Sequence, residues 1–165
     1  MLKISYNSKY TTFNVMPEVV SHHGISYEDS SKLFRYKYTL TDDAYIYVPS
    51  IDFGKFKAVG TKDGKVYVEA LGHYFIIKKG YSWDGCTKAV DAEWNMRASL
   101  FHDAMYQVKK CGLPINIKWW QIDSIFRNIM KQDGANLIQR NTYYYAVRTF
   151  GAMYKLGTDD SLKLG

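Results

Sequence analysis

His102 and Asp103 stand side by side in the stretch SLFHDAMYQ, and Tyr106 follows three residues after the aspartate. Leu100, Phe101, Ala104 and Met105 surround them, so the polar pair interrupts an apolar helix pattern. An imidazole is the side chain best suited to exchange a proton near neutral pH, and a carboxylate suits a hard cation. Residues i and i+4 share a helix face, so Tyr106 lies one turn from His102, while Asp103 points about 100° away. A second carboxylate, Asp123, falls inside the apolar stripe of Trp119, Phe126 and Met130 on the next helical segment. A buried, unpaired charge is costly, so Asp123 needs a partner.

Spacing offers one. His102 is seven residues before Lys109, where the first helix should end, and Asp123 is seven after Asn116, where the second should begin. At about 1.5 Å of rise per residue, each lies about 10 Å from the connection, level with the other in an antiparallel pair. A bond from Asp123 to one ring nitrogen of His102 would fix the tautomer and leave the other nitrogen free as a base. The same pair can also serve as a plain staple between two helices, and spacing alone leaves both readings open. His22, His23 and His73 have no comparable setting and read as surface or loop residues.

Upstream, KKGYSWDGCTKAVD (residues 78–91) joins the strand-rich part to the first helix. Gly80 and Gly85 permit positive φ, and Asp84-Gly85 reads as a tight turn. An irregular loop with a carboxylate is also a cation-loop pattern, since Ca²⁺ takes six to eight oxygens from carboxylates and backbone carbonyls. Asp84 and Asp103 would supply two. The alternating acids of an EF-hand are missing.

These residues need elements to carry them. Residues 33–83 read as strands: FRYKYTL and AYIYVPS around a TDD turn, then KFKAVG, KVYVEAL and HYFIIKK, broken at Asp63-Gly64 and Gly72. Four or five short antiparallel strands are expected. Residues 91–156 read as helical: one helix from a cap at Asp91 to the two lysines before CGLP, a second capped by Asn116, and a third over RNTYYYAVRTFGAMYKL. The predicted fold is α+β, with a small antiparallel sheet, an antiparallel helical hairpin and a third, C-terminal helix. A single domain should span residues 1–157, with a flexible tail over 158–165.

Composition narrows the function classes. The net charge of +6 comes from scattered residues, with no run longer than a pair such as Lys109 and Lys110, and no nucleic-acid reading motif is present, so nucleic acid is an unlikely partner. The two cysteines form neither a disulfide framework nor a metal knuckle. MLKISYNSKYTTF lacks the apolar run of a signal peptide, and no apolar run approaches the ~18 residues of a membrane span.

In order and spacing, GYSWDGCT, MRASLFHDAMYQ, WWQIDSIFRNIM and YYYAVRTFG resemble the phage and prophage proteins of the domain of unknown function family 1353. The family pattern is G-x-x-x-D-G-x-S, then HD-x-x-Y, then A-D-x-x-F, then V-R-x-F-G. Here these are Asp84-Gly85, His102-Asp103 with Tyr106, Ile122-Asp123 with Phe126, and Val147-Arg148 with Phe150-Gly151. The family has a Ser and a Pro after Asp-Gly, whereas this chain reads CTKAVD, with Thr87 in place of the serine. The resemblance implies a phage or prophage origin, hence the host cytoplasm or a virion, and carries no settled activity.

More loosely, HD-x-x-Y on one helix with an aspartate on its antiparallel partner resembles the phospholipase A(2) superfamily. That resemblance implies His102 as the base activating a water, Tyr106 and Asp123 as its supports, and Asp103 as a Ca²⁺ ligand beside the Asp84-Gly85 loop. The implied function is a calcium-dependent lipid or ester hydrolase working at membrane lipid. The alternative is a non-enzymatic virion or accessory protein that binds a phage or host protein through tyrosine-rich surfaces, the His–Asp pair being structural.

Overall fold

The computed structural model of the chain describes residues 2–4, 19–30, 36–86, 89–112, 116–156 and 161–165. In chain order these hold β1 (Leu2–Ile4), β2 (Val19–His22), β3 (Ile25–Asp29), β4 (Tyr38–Leu40), β5 (Ala44–Tyr47), β6 (Lys55–Gly60), β7 (Val66–Leu71), β8 (Tyr74–Ile77) and β9 (Ser82–Trp83). Then come α1 (Glu93–Lys110), α2 (Trp119–Gln132), α3 (Leu137–Leu156) and β10 (Leu162–Leu164). The fold is α+β, as the sequence pattern predicts, but with two five-stranded antiparallel sheets rather than one small one. Their orders are β1-β2-β3-β4-β9 and β10-β6-β7-β8-β5.

The hairpins of the second sheet form where glycine spacing puts them. Gly64 and Gly72 both take positive φ, and Asp63 Oδ1 accepts the Lys65 amide at 3.0 Å to close the β6–β7 turn. The TDD stretch is not a hairpin turn. The chain changes sheets there: β4 pairs with β3 and β9, while β5 pairs with β8. The first sheet reaches back to β1, β2 and β3, outside the span that reads as strand-rich. Its β2–β3 turn is His23-Gly24, both with positive φ, a primed hairpin turn in which histidine takes the place more often held by asparagine.

The second sheet turns Ile46, Phe56, Val68, Phe75 and Ile77 inward, all buried. α1 lies against them, with Phe101 meeting Phe75 edge-on at 5.4 Å between centroids. α2 packs on α1, and α3 on α2. Each fully buried large side chain in such a core contributes about 1.5–3 kcal/mol. α1 is buried on nearly every side: Asn95, Ser99 and His102 are buried together with its apolar residues. This accounts for the polar interruption in its pattern, because a central helix has little solvated face on which to place them. No helix among the described residues is long and apolar enough to cross a membrane.

Both predicted helix caps shift. α1 starts at Glu93, and the Asn95 side chain reaches back to the Ala92 amide at 3.0 Å, which frees Asp91 for the preceding loop. α2 starts at Trp119, with Gln121 accepting the Lys118 amide at 2.7 Å. The tail differs as well. Residues 162–164, expected to fray, form β10 against β6, with Leu162 buried and its carbonyl receiving the Cys111 thiol at 3.0 Å. LKL alternates apolar and polar residues, and the open edge of β6 supplies the backbone partners that a lone tail lacks. Leu162→Ala should therefore lower stability by about 2 kcal/mol or more in urea denaturation. An unchanged midpoint and slope would show that β10 adds nothing to the fold.

Candidate functional site

The hairpin of α1 and α2 brings its two polar residues level. His102 Nε2 lies 2.8 Å from Asp123 Oδ1. The Tyr106 hydroxyl donates to the same oxygen at 2.6 Å. The other oxygen, Oδ2, receives Arg148 from α3 at 2.9 Å. Asp123 is fully buried, yet its two oxygens accept three donors from two other helices. Burial alone would raise its carboxyl; the bonds from His102, Tyr106 and Arg148 outweigh this and hold it below the ordinary carboxylate value. Around the His102 ring, Tyr106 stacks at 4.1 Å between centroids and Phe126 packs at 5.2 Å. The Tyr106 hydroxyl is pushed upward by burial and by the Asp123 charge, so it stays protonated and remains a donor.

A carboxylate only accepts, so the His102 Nε2 must carry the proton in that bond. The neutral ring then holds its lone pair on Nδ1. Asp103 Oδ1 is 3.8 Å from that nitrogen, too far for a hydrogen bond. Desolvation opposes charging the His102 ring, but the carboxylates of Asp103 and Asp123 prevail and raise its proton affinity above that of a free imidazole. The Asp103 carboxyl also sits above its ordinary value. Removal from bulk water is the main cause, the nearby Asp84 charge adds to it, and His102 opposes it. Its side chain keeps 34% exposure, so it titrates from the wall of an opening rather than from the core.

That opening is a cleft of about 960 Å³. His102, Asp103 and Tyr106 line it from α1, and Asp84 and Gly85 line it from the loop after β9. Phe126, Val147 and Phe150 supply apolar wall from α2 and α3. Hydrogen bonds tie down the described residues of this loop. Trp83 donates its indole N–H to Ser99 on α1 at 3.1 Å. Asp91 accepts the Cys86 amide at 2.7 Å, the Lys37 ammonium at 2.5 Å and the Tyr38 hydroxyl at 2.9 Å. Gly85 has φ +68°, and any Cβ there would collide with the Asp91 carboxylate. Asp84 is exposed, and its Oδ1 accepts the Lys37 amide at 3.1 Å. The Asp84-Gly85 turn and Asp103 thus face one cleft. They supply hard oxygen donors of the kind Ca²⁺ prefers, but among the described residues no group of three His, Cys, Asp or Glu side chains is arranged around a point.

All six residues singled out from the sequence meet in this region, five on the cleft and Asp123 behind His102. Thr87 lies outside the described residues. His23 and His73 are exposed, as expected, but His22 is half-buried, with Nε2 2.9 Å from the Tyr27 hydroxyl. Sequence reasoning named Arg148 and Gly151 as motif residues but gave them no role in the site. The signal was their spacing of three on one helix, which places both on the face toward Asp123. A Cβ on Gly151 would lie 2.7 Å from the Tyr106 oxygen.

Compared with known families, residues 62–147 match the family described as "Protein of unknown function (DUF1353)", slightly over half of the chain. The match covers Asp84, His102, Tyr106 and Asp123 and stops one residue before Arg148. No curated protein matches the chain, and no solved structure does.

The close approach of α3 to Tyr106 is testable. Gly151→Ala should destabilise the protein by about 1–3 kcal/mol through overpacking against the Tyr106 ring and hydroxyl. Adding Tyr106→Phe removes the nearest atom, so the double variant should recover part of that loss in thermal melts. Strict additivity of the two substitutions would mean that the residues do not touch.

Proposed function

The chain belongs to the family of proteins of unknown function DUF1353, and on that premise we propose that it is a calcium-dependent hydrolase of lipid or related ester bonds, encoded by a phage and active in the host cytoplasm or on the virion. One observation carries the reading. The Asp123 bond fixes the proton on His102 Nε2 and leaves the Nδ1 lone pair, on the Asp103 side, in a ring that lines a large cleft. Nδ1 takes a proton from a water in the cleft as the water oxygen attacks the ester carbonyl carbon. Asp123 balances the imidazolium that forms, and Tyr106 keeps the ring from turning. The ring then returns the proton to the departing alkoxide. Asp103 and Asp84 would hold the ion with the Gly85 loop, and the mutual repulsion of the two carboxylates favours a cation there. When bound, Ca²⁺ supplies polarisation of the carbonyl oxygen. The apolar wall of Phe126, Val147 and Phe150 suits an acyl chain.

A second reading, a non-enzymatic protein that binds a phage or host protein, is favoured by the outer face of the second sheet. Tyr45, Tyr47 and Tyr74 are 61%, 55% and 49% exposed there, with Tyr47 and Tyr74 in contact at 5.2 Å between centroids. Tyrosine clusters of this kind dominate binding hot spots.

Vesicles of phosphatidylglycerol and phosphatidylcholine, incubated with the protein in Ca²⁺ or in a chelator, separate the two. The hydrolase reading expects fatty acid release in Ca²⁺ only, reduced roughly 10²- to 10⁴-fold in His102→Gln. No release from the natural protein, or equal release from both, sinks it and leaves the binding reading, under which Tyr47→Ala and Tyr74→Ala are the damaging changes.

A further inference from the structure

No residue of the last helix exchanges a proton in the transfer just described, yet that helix is fastened at the same site. Over residues 137–151, only Gly151 of α3 is buried; every other position is half-buried or exposed. A helix held so lightly by the core depends on a few specific contacts. Tyr143 supplies two at one end, donating to the Val90 carbonyl at 2.7 Å and packing edge-on against Trp94. Arg148 and Gly151 supply two more, and both act on the pair behind His102.

The division of donors on Asp123 gives Arg148 its role. His102 and Tyr106 both use Oδ1, at 2.8 and 2.6 Å, and among the described residues Arg148 alone uses Oδ2. Two donors crowded on one oxygen, with the other oxygen bare, is not the arrangement a buried carboxylate settles into. Without Arg148 it would rotate about χ2 to share His102 and Tyr106 between its oxygens, and the His102 acceptor would move. We propose that Arg148 is a positioning residue: from α3 it fixes the orientation of the Asp123 carboxylate, and through it the ring and tautomer of His102. α3 also lines the cleft with Val147 and Phe150, so one helix carries both a substrate wall and the support of the base. The proposal rests on the reading of His102 as a base for its effect on rate, but not for its effect on the ring.

The test uses the full chain, with Arg148→Gln and Arg148→Lys. Side-chain ¹⁵N spectra are taken at a single pH where the His102 ring is neutral, together with kcat and KM on the vesicles above in Ca²⁺. Arg148→Gln should turn a single Nε2–H tautomer into a mixture and lower kcat roughly 10- to 100-fold, as a small misplacement of a catalytic group does, with KM nearly unchanged. Arg148→Lys, which keeps a cationic donor, should restore most of both. An Arg148→Gln protein that melts lower yet keeps the single tautomer would overturn the proposal, leaving Arg148 as a structural tie. If the natural protein releases no fatty acid, the hydrolase reading fails, and the tautomer comparison still decides the role of Arg148.

Discussion

The helical half of this protein is organised around one buried carboxylate. Asp123 cannot sit dry and ionised on the inner face of α2 unless donors surround it, and a partner removed from a buried ion pair typically costs about 3–5 kcal/mol. The donors come from α1 twice and from α3 once. The requirement therefore sets three things together: the level at which α1 and α2 pair, the tight approach of α3 that only a glycine at position 151 allows, and the protonation of His102. A hydrophobic residue at position 123 could join α1 to α2, but it would leave α3 without its ion pair and His102 without a reason to keep one tautomer.

The carboxylates of the loop are arranged in a contrasting way. Asp91 is satisfied by an amide, an ammonium and a hydroxyl, and its work is structural: it clamps the Gly85 turn to β4. Asp103 and Asp84 have no such complement of donors. They face the cleft, and the Asp84 charge makes Asp103 harder to ionise. Folding energy does not explain that placement, since separating like charges or replacing one would be more favourable. Two carboxylates at the wall of one cleft, beside an imidazole Nδ1 that lies 3.8 Å from Asp103, are what support the proposed reading of a site completed from outside the chain.

How much of this could be read in the sequence depends on the range of the interactions involved. The His102–Asp123 level was legible because a helical hairpin is nearly rigid, and equal offsets of seven from its ends fix the pairing. The glycine turns of β6–β8 were legible because they are local. The two-sheet arrangement was not. FRYKYTL and AYIYVPS alternate like a hairpin, and only the long-range partners of β4 and β5 separate them. The first sheet was overlooked because HHG is a weak turn signal, and β10 because a three-residue strand gains its stability from an edge far away in sequence. Arg148 was visible as a motif residue, but its partner was not, since an arginine on a half-exposed helix has many solvent-facing alternatives that no spacing rule removes.

The choice between staple and site turns on what a staple would need. Asp123 with Tyr106 and Arg148 already joins three helices and satisfies both carboxylate oxygens. His102 adds a donor to an oxygen that has one, and does so with a ring that lines the cleft. An asparagine or glutamine could donate to Asp123 without carrying a titratable group to the cleft surface. The protein instead places an imidazole there, lifts its proton affinity with two carboxylates, and keeps Asp103 too far to occupy Nδ1. Each of these features is superfluous for holding helices together, and each supports the proposed reading of His102 as a base.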